Sequence, residues 1–577
     1  MNILGLSCFY HDAAAALAVD GRLVAAAQEE RFSRLKHDPE LPVRAVRWAL
    51  DRTGLSTADL DAVAFYDKPI LKFDRILTGC LAAPFRSWRP FLTALPVWLG
   101  RKLWTDHIIR KELGFDGEVL YLPHHLSHAA GAFFTSPFSD AAVLTVDGVG
   151  EWATASYGVG EGNRVRLIAE MHYPHSLGLL YSALTYYLGF RVNSAEYKVM
   201  GLAPYGKPRY ADLIEDRLVT VHADGSLHLR MKYFTFHRSL TMTGRAIERL
   251  FGCPRRAPGA PLEQFHADVA ASLQAVTEKI VLAMARHVRE TTGKSRLCLA
   301  GGVALNCAAN GALLRSGLFE DVAIQPAAGD AGGAVGAALY AHFCLTGAAR
   351  QPQPFFGIGP NFDHAIAPFL AAHRIPHTAG DRAAQLRRVA AALASGRIVG
   401  FYHGGAEFGP RALGFRSILA DPRDPRMKEK INAAVKFREP FRPFAPAVMC
   451  EHAADYFECD RPAPHMLVNF TVRADKRSLI PAVTHVDNST RIQTVAEADN
   501  PPLYRLLAEF KSLTGIPVLL NTSFNLRGHP IVNTPEEAFA TFCSGGLDIL
   551  LLGDYLVKKE EIPEALRQRF RLVQAED

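Results

Sequence analysis

Pro123-His124-His125-Leu126-Ser127-His128 is the stretch with the most chemical content in this chain. His124 and His128 are four residues apart, so on a helix their imidazoles share one face, a spacing suited to a single metal ion. Two histidines make an incomplete site, and a divalent ion needs further nitrogen or oxygen ligands. Asp147, in Asp147-Gly148-Val149-Gly150-Glu151, and Asp330, in Gly329-Asp330-Ala331-Gly332, are candidate carboxylates from elsewhere in the chain. Gly148 and Gly150 let backbone N–H groups approach an anion, while carboxylates such as Glu151 hold a metal or position a nucleophile. Taken alone, such a histidine pair is more often an ordinary surface or core feature, and Asp and Gly are default turn residues.

Gly301-Gly302-Val303-Ala304-Leu305-Asn306 repeats the logic of a strand followed by glycines at the start of a helix. It could cradle a nucleotide or intermediate, with Asn306 and Asn310 on one helical face, or be merely a tight strand–helix turn. In the last third, the run from His403 through Glu407, Gly409, Arg411 and Gly414 to Ser417 is too dense in Gly and Arg for a plain loop. Lys436, Arg438 and Arg442 follow, and Arg491 comes later. Converging on one pocket, these cations would bind a compact, multiply charged substrate; apart, they would be solvated surface charges. Phe437, Phe441, Phe444 and three prolines between them argue against simple exposure. Asn521 and Ser523 place an amide and a hydroxyl just after an apolar run, suited to hydrogen-bonding a phosphate or carbamoyl group.

These residues need a scaffold, and the pattern supplies one. Residues 3–7, 13–19 and 22–28 read as strands, with the hairpin signal Asp20-Gly21 between the last two. The motif recurs at 142–146, 153–158 and 165–171, which predicts a duplicated α/β half-domain. A helix is expected over roughly 263–289, where Phe265, Val269, Leu273, Val276 and Ile280 form one apolar stripe. A buried strand follows at 297–299, and a small-residue helix at 334–341. Residues 346–384 shift toward Pro, Gly and His and read as a linker or domain edge. A second α/β unit then opens with a helix at 383–394 and a strand at 398–402, giving domains of 1–345 and 385–577. The apolar region 85–104, broken by Arg86, Arg89, Pro90, Pro96 and Arg101, reads as loop-like, either a buried insertion or a substrate lid.

The chain of 577 residues is 49% hydrophobic and 21% charged, which excludes collagen-like, disordered and disulfide-scaffold classes. Its net charge of +6 is too small, and too dispersed, to argue for nucleic-acid binding. Nine scattered cysteines without a CxxC pair fit a reducing cytoplasm. Asp12 follows too early for a signal-peptide apolar region, and no run reaches about 18 apolar residues, so a cytoplasmic protein without membrane association is expected.

Two hairpin units and three glycine-rich turns resemble the actin/hexokinase/Hsp70-like ATPase fold. The histidine pair with a late Asp resembles its metal-containing branch, typified by the tRNA threonylcarbamoyl-transfer protein. The whole chain to about Lys559 resembles the NodU/CmcH-type O-carbamoyltransferases. The carriers are Phe9-Tyr10-His11-Asp12-Ala13, Glu29-Glu30-Arg31-Phe32-Ser33-Arg34, His124 to Ala129, Asp147 to Glu151, Glu196-Tyr197-Lys198-Val199-Met200-Gly201, Gly301 to Asn306, Glu407 to Gly414 and Leu520 to Asn525. One departure is His529, where the family pattern suggests an acidic residue.

The resemblance implies a C-terminal YrdC-like domain that makes carbamoyl-adenylate from carbamoyl phosphate and ATP, with Mg²⁺ accompanying the nucleotide. It implies transfer of the carbamoyl group to a hydroxyl of a small-molecule natural product in the N-terminal domain. By position, Glu407, Arg411, Lys436, Arg442, Arg491, Asn521 and Ser523 are implied to hold carbamoyl phosphate or the mixed anhydride. His124, His128, Asp147 and Asp330 are implied to hold Fe²⁺ or a similar divalent metal. Gly148, Gly150, Glu151, Lys198, Gly301, Gly302, Asn306 and Asn310 are implied to face the nucleotide or intermediate. His11 and Asp12 are placed to contact the acceptor, and either is a candidate general base. A homodimer is compatible with this reading. The competing readings are a tRNA threonylcarbamoyl-adenosine enzyme, which the modest charge disfavours, and a non-catalytic ATPase-fold scaffold.

Overall fold

The computed structural model describes residues 1–82, 84–353 and 355–572. The chain forms two units: Met1–Glu29 with His37–Pro354, and Glu30–Lys36 with the chain from Phe355 onward. The first unit contains strands β1 (Asn2–Ser7), β2 (Ala14–Val19), β3 (Arg22–Gln28), β4 (Ala62–Phe65) and β5 (Glu118–Tyr121). They form one sheet in the order β3-β2-β1-β4-β5. Asp20 and Gly21 both have positive φ, +49° and +75°, the pair of values that a tight β2–β3 hairpin requires. A second sheet repeats the plan with β6 (Asp140–Val146), β7 (Ala153–Glu161), β8 (Arg164–His172), β9 (Arg296–Ala300) and β10 (Asp321–Ile324), in the order β8-β7-β6-β9-β10. In each sheet the first three strands are antiparallel and the last two run parallel to the first. The duplication read from the sequence is therefore a duplicated sheet order, the arrangement expected of the ATPase fold.

The helices of this unit that bear on the site are α1 (Pro69–Ala82), α2 (Pro84–Gly100), α3 (His124–Thr135), α4 (Gln264–Thr292), α5 (Cys307–Arg315) and α6 (Ala331–Thr346). Helix α4 buries Val269, Leu273, Val276 and Ile280 of the predicted stripe, whereas Phe265, near its N-terminus, is half-buried. Helix α6 runs longer than its small-residue segment and stops at Gly347, whose φ of +64° suits a left-handed C-terminal cap. It packs on α3 so closely that a Cβ at Gly336 would stand 1.8 Å from the Ser127 carbonyl oxygen. Only glycine permits that approach.

Residues 85–104 differ from expectation. They are helical rather than loop-like, with Pro96 inside α2; a proline removes one helical hydrogen bond without abolishing the flanking turns. Nor are they a buried insertion: Trp88, Leu92, Val97 and Leu99 are each about half exposed, whereas Trp98 is buried. The side chains of residues 82–87, 89 and 90, and with them Arg86, Arg89 and Pro90, lie outside the described residues.

The second unit carries an eight-stranded mixed sheet of β11 (Thr378–Ala379), β12 (Val399–Tyr402), β13 (Arg416–Ala420), β14 (Ala445–Met449), β15 (Gln493–Val495), β16 (Val518–Ser523), β17 (Ile549–Leu552) and β18 (Tyr555–Lys558). Their order is β11-β18-β17-β12-β13-β16-β14-β15. Helices α7 (Arg382–Ala394), α8 (Pro501–Thr514) and α9 (Pro535–Ser544) pack on it. The break between units falls within 346–384, and β11 and the helix Ile366–Ala372 belong to the second unit; Pro354, part of the Gln/Pro run read as linker, lies outside the described residues. No described helix is long and apolar enough to cross a membrane.

Candidate active site

In the first unit, α3 carries His124 and His128 one turn apart, and both are buried. Their Nε2 atoms are 3.1 Å from each other. Asp147, just beyond the end of β6, places Oδ2 3.0 Å from Nε2 of His124 and 3.4 Å from Nε2 of His128. Asp330, immediately before α6, places Oδ1 3.7 Å from both nitrogens. One potential ligand atom from each of the four residues lies within 4.8 Å of the others. Asp147 is held in this orientation by its second oxygen, which accepts from the backbone N–H groups of Gly148 at 2.8 Å and Gly302 at 3.1 Å. Such outer contacts fix the direction of a ligating carboxylate.

The donor set of two imidazoles and two carboxylates fits a divalent transition metal. Without a cation, protons must do that work. Burial alone would lower the pKa of His128, but its hydrogen bonds to Asp147 and Asp330 and their charges raise it to about 9. Burial would raise both carboxyls, yet the histidines hold Asp147 well below the usual range, and His11, His128 and His124 lower Asp330. His125, on another side of α3, places Nδ1 3.0 Å from the Ser156 hydroxyl, and burial with its histidine neighbours lowers it to about 3.

His11 and Asp12 stand at the edge of this cluster. Asp12, at φ +53°, places Oδ2 3.0 Å from Nδ1 of His11 and Oδ1 2.8 Å from Nδ1 of His37. The other ring nitrogen of His11 lies 3.9 Å from Asp330 Oδ2. Burial opposes protonation of His11, but Asp330 and Asp12 outweigh it and raise its pKa to about 9. Tyr66 borders the same cluster, its hydroxyl 3.5 Å from Asp330 Oδ2 and its ring edge-on to His124. A cavity of about 190 Å³ opens beside it, lined by Tyr10, Phe65, Asp67, Lys72, Arg75 and Trp98. Lys72 pairs with Asp67 there. His37, Tyr66 and Lys72 were not singled out by the sequence, because only the tertiary fold brings them to His11 and Asp330.

The remaining first-unit candidates make mainly local contacts. Glu151 accepts from the backbone N–H of Lys68 at 2.8 Å and of His124 at 3.0 Å, so it caps the N-terminus of α3. Gly150 lies against the His124 ring, and Gly301, at φ +89°, passes the Val146 carbonyl. Asn306 caps α5 through Ala309 N–H and pairs with Gln274 on α4. The Asn310 amide donates to the Ala304 carbonyl at 2.7 Å, and Lys198 is buried on the helix Glu196–Leu202.

In the second unit, Glu407 Oε1 accepts from the backbone N–H groups of Leu413, Phe415 and Arg416 at 2.7, 3.0 and 3.1 Å. The carboxylate thereby folds the 403–414 loop around itself. Asn521 donates to Gln493 at 2.8 Å and to the Ala412 carbonyl at 3.4 Å, tying β16 to that loop. The Lys436 ammonium donates to Ser523 and Asn525, at 2.9 Å to the Asn525 carbonyl and 2.7 Å to its Oδ1. Burial, then the charges of Arg438, Arg442 and Lys36, lower the Lys436 pKa. Arg411 is half-buried on the loop, Arg442 lies near Lys436 and 3.9 Å from Glu439, and Arg491 ends the strand Ser489–Arg491. His529 sits in a turn where its carbonyl accepts from the Asn525 amide at 2.7 Å, a contact independent of its side chain. A larger cleft of about 550 Å³ beside His452, Tyr456 and Lys511 contains none of these residues.

The chain is similar to known proteins over most of its length. A family model described as the carbamoyltransferase N-terminus matches residues 2–339, and one described as the carbamoyltransferase C-terminus matches residues 390–559. The chain is 47% identical to an uncharacterized protein of Synechocystis sp., over 98% of this chain and 97% of that one. It is 40% identical to the nodulation protein NolNO of Sinorhizobium fredii, over 96% of this chain and 79% of the relative. It is 32% identical to nodulation protein U of Rhizobium tropici, over 98% and 97%.

Proposed function

Because the chain belongs to the carbamoyltransferase family, we propose that it activates carbamoyl phosphate with ATP in its second unit and transfers the carbamoyl group to an alcohol in its first. Activation consumes water: carbamoyl phosphate is cleaved to phosphate and carbamate, and a carbamate oxygen attacks the α-phosphorus of ATP, displacing pyrophosphate. The product is carbamoyl-adenylate. An acceptor hydroxyl then attacks the carbamoyl carbon, its proton passes to a base, and AMP leaves.

The second unit offers cations for the first step, of which Lys436 is buried and Arg411, Arg442 and Arg491 are half-buried. Lys436, Arg442, Arg411 and Arg491 suit the phosphoryl oxygens of a small anhydride, and burial strengthens such contacts. In the first unit, His11 is the base and Asp12 orients it: the carboxylate accepts from Nδ1, leaving Nε2 as the atom that takes the acceptor's proton. For that role His11 must be neutral at the start of each turnover; Asp330 and Asp12 favour its protonated form, and Asp330 and Asp147 would do so less if they held a cation. His124, His128, Asp147 and Asp330 would hold a divalent ion such as Fe²⁺, which supplies Lewis acidity toward a carbamoyl or phosphoryl oxygen. The cavity lined by Tyr10, Phe65, Arg75 and Trp98 suits an acceptor with an apolar body.

The observation that carries this reading is the convergence of His124, His128, Asp147 and Asp330 beside the His11–Asp12 pair in a chain of this family. Carbamoyl phosphate-dependent release of pyrophosphate from ATP tests it. Pyrophosphate release that does not depend on carbamoyl phosphate would sink the activation step.

A further inference from the structure

The chain leaves the first unit after Glu29, contributes Glu30–Lys36 to the second, and returns at His37. Within that segment two arginines behave differently. Arg34 is satisfied: it donates to the carbonyls of Ile531 at 2.9 Å and Pro530 at 3.0 Å and pairs with Glu537 at 3.1 Å. This residue anchors the segment.

Arg31 is not satisfied. It is only 2% exposed, and its Nη2 donates to the Gly409 carbonyl at 3.0 Å, but Nε and Nη1 have no hydrogen-bond partner. Among the described residues no carboxylate pairs with it. Glu407 of the same loop forms no ion pair with it: Oε1 accepts from three backbone N–H groups, and Oε2 is buried without a hydrogen-bond partner. A guanidinium cannot escape burial by losing its proton, so an unpaired one is retained at a cost in stability unless an anion meets it. The candidate anion-binding cations stand near it along the chain and in the fold. Gly409 lies two residues before Arg411, and Lys36, at the other end of the segment, is close enough to Lys436 to act on its charge together with Arg438 and Arg442.

We propose that Arg31 is a binding residue of the second unit's anion pocket, offering its unpartnered N–H groups to phosphoryl oxygens of carbamoyl phosphate or of the ATP polyphosphate. This rests on the reading of the second unit as the activating half. The segment 30–36 would then be part of the active site, and each unpartnered guanidinium N–H is a charge-assisted donor to a phosphoryl oxygen.

The test compares full-length wild type with Arg31→Met and Arg31→Lys. Expected for Arg31→Met is a thermal midpoint no lower than wild type without ligand, a stabilisation by inorganic pyrophosphate at least halved, and a rise of about tenfold or more in KM for one anionic substrate. The rise falls on carbamoyl phosphate if that phosphate is the partner and on ATP if the polyphosphate is. Arg31→Lys, which keeps the charge and loses the fork, should give a smaller rise in the same KM. A lower midpoint with both KM values unchanged would overturn the proposal, as would an unchanged response to pyrophosphate. If Arg31→Met does not fold, unchanged KM values in Arg31→Lys overturn it alone. Failure of the activation reading is separate: wild type would then release no pyrophosphate, while the thermal response to pyrophosphate would still report on Arg31.

Discussion

Asp12 Oδ2 lies 3.0 Å from Nδ1 of His11, and the same carboxylate reaches His37 with its other oxygen. One imidazole is thus locked in direction from behind while its far nitrogen faces Asp330. Asp12→Asn keeps the shape and removes the charge. Expected is a fall of about 10²-fold or more in AMP release from carbamoyl-adenylate with polyol acceptors, with carbamoyl phosphate-dependent pyrophosphate release within about twofold of wild type. Equal loss of both activities would end the assignment of His11 and Asp12 to the transfer step alone.

The metal cluster makes a separate prediction. The Nε2 atoms of His124 and His128 share a site with two carboxylates, so replacing either histidine removes a ligand and leaves buried acids underneutralised. His128→Ala should bind a divalent transition metal at least about tenfold more weakly, read as metal content after dialysis. Chelation of wild type should lower its thermal midpoint, because the ion binds the folded state. Undiminished metal content in His128→Ala would place the ion elsewhere.

The grouping of His124, His128, Asp147 and Asp330 was legible because three local signals survive in one dimension: a four-residue helical spacing, an acidic residue after a strand, and an acidic residue before a small-residue helix. The roles of Glu151 and Glu407 were not legible. Their partners are backbone N–H groups of His124 and Leu413, Phe415 and Arg416, and no residue type advertises its own amide. The passage of residues 30–36 into the second unit was hidden for another reason. The segment 30–36 leaves one unit for the other without any Pro- or Gly-rich punctuation, whereas the change of unit at 354 follows a Pro/Gln-rich run. The helix within 85–104 was misread as loop-like because prolines in an apolar stretch weigh heavily in a sequence, yet each removes only one hydrogen bond in a helix.

The α3–α6 contact that unites the metal ligands depends on one missing methyl group. Gly336→Ala would force a Cβ into the Ser127 carbonyl, and both neighbours are backbone, so the helices must separate. Expected is a loss of about 1–3 kcal/mol or more in unfolding free energy, with weaker metal binding, because His128 lies next to Ser127 and Asp330 at the start of α6. Denaturant unfolding with and without metal measures both. Stability within about 0.5 kcal/mol of wild type would mean that the helices do not approach this closely.

Glu29, the last residue before the exchanged segment, gives the pH dependence. It is 4% exposed, and burial pushes its carboxyl up to about 7, although the backbone N–H of Ala45 at 2.9 Å and of Arg44 at 3.4 Å partly favour the ionised form. The unfolded chain ionises the same group near pH 4.3. Between those values the folded protein binds more protons than the unfolded one, so this group makes stability fall as pH rises from about 4 to about 7, and it adds no slope beyond either end. Glu29→Gln keeps an acceptor for Ala45 and removes the titration. The variant should therefore lose stability less steeply than wild type across that window, with its largest relative gain at or above pH 7. Thermal unfolding from pH 4 to 8 reads the difference, and parallel curves for the two proteins would show that Glu29 ionises normally in the folded chain.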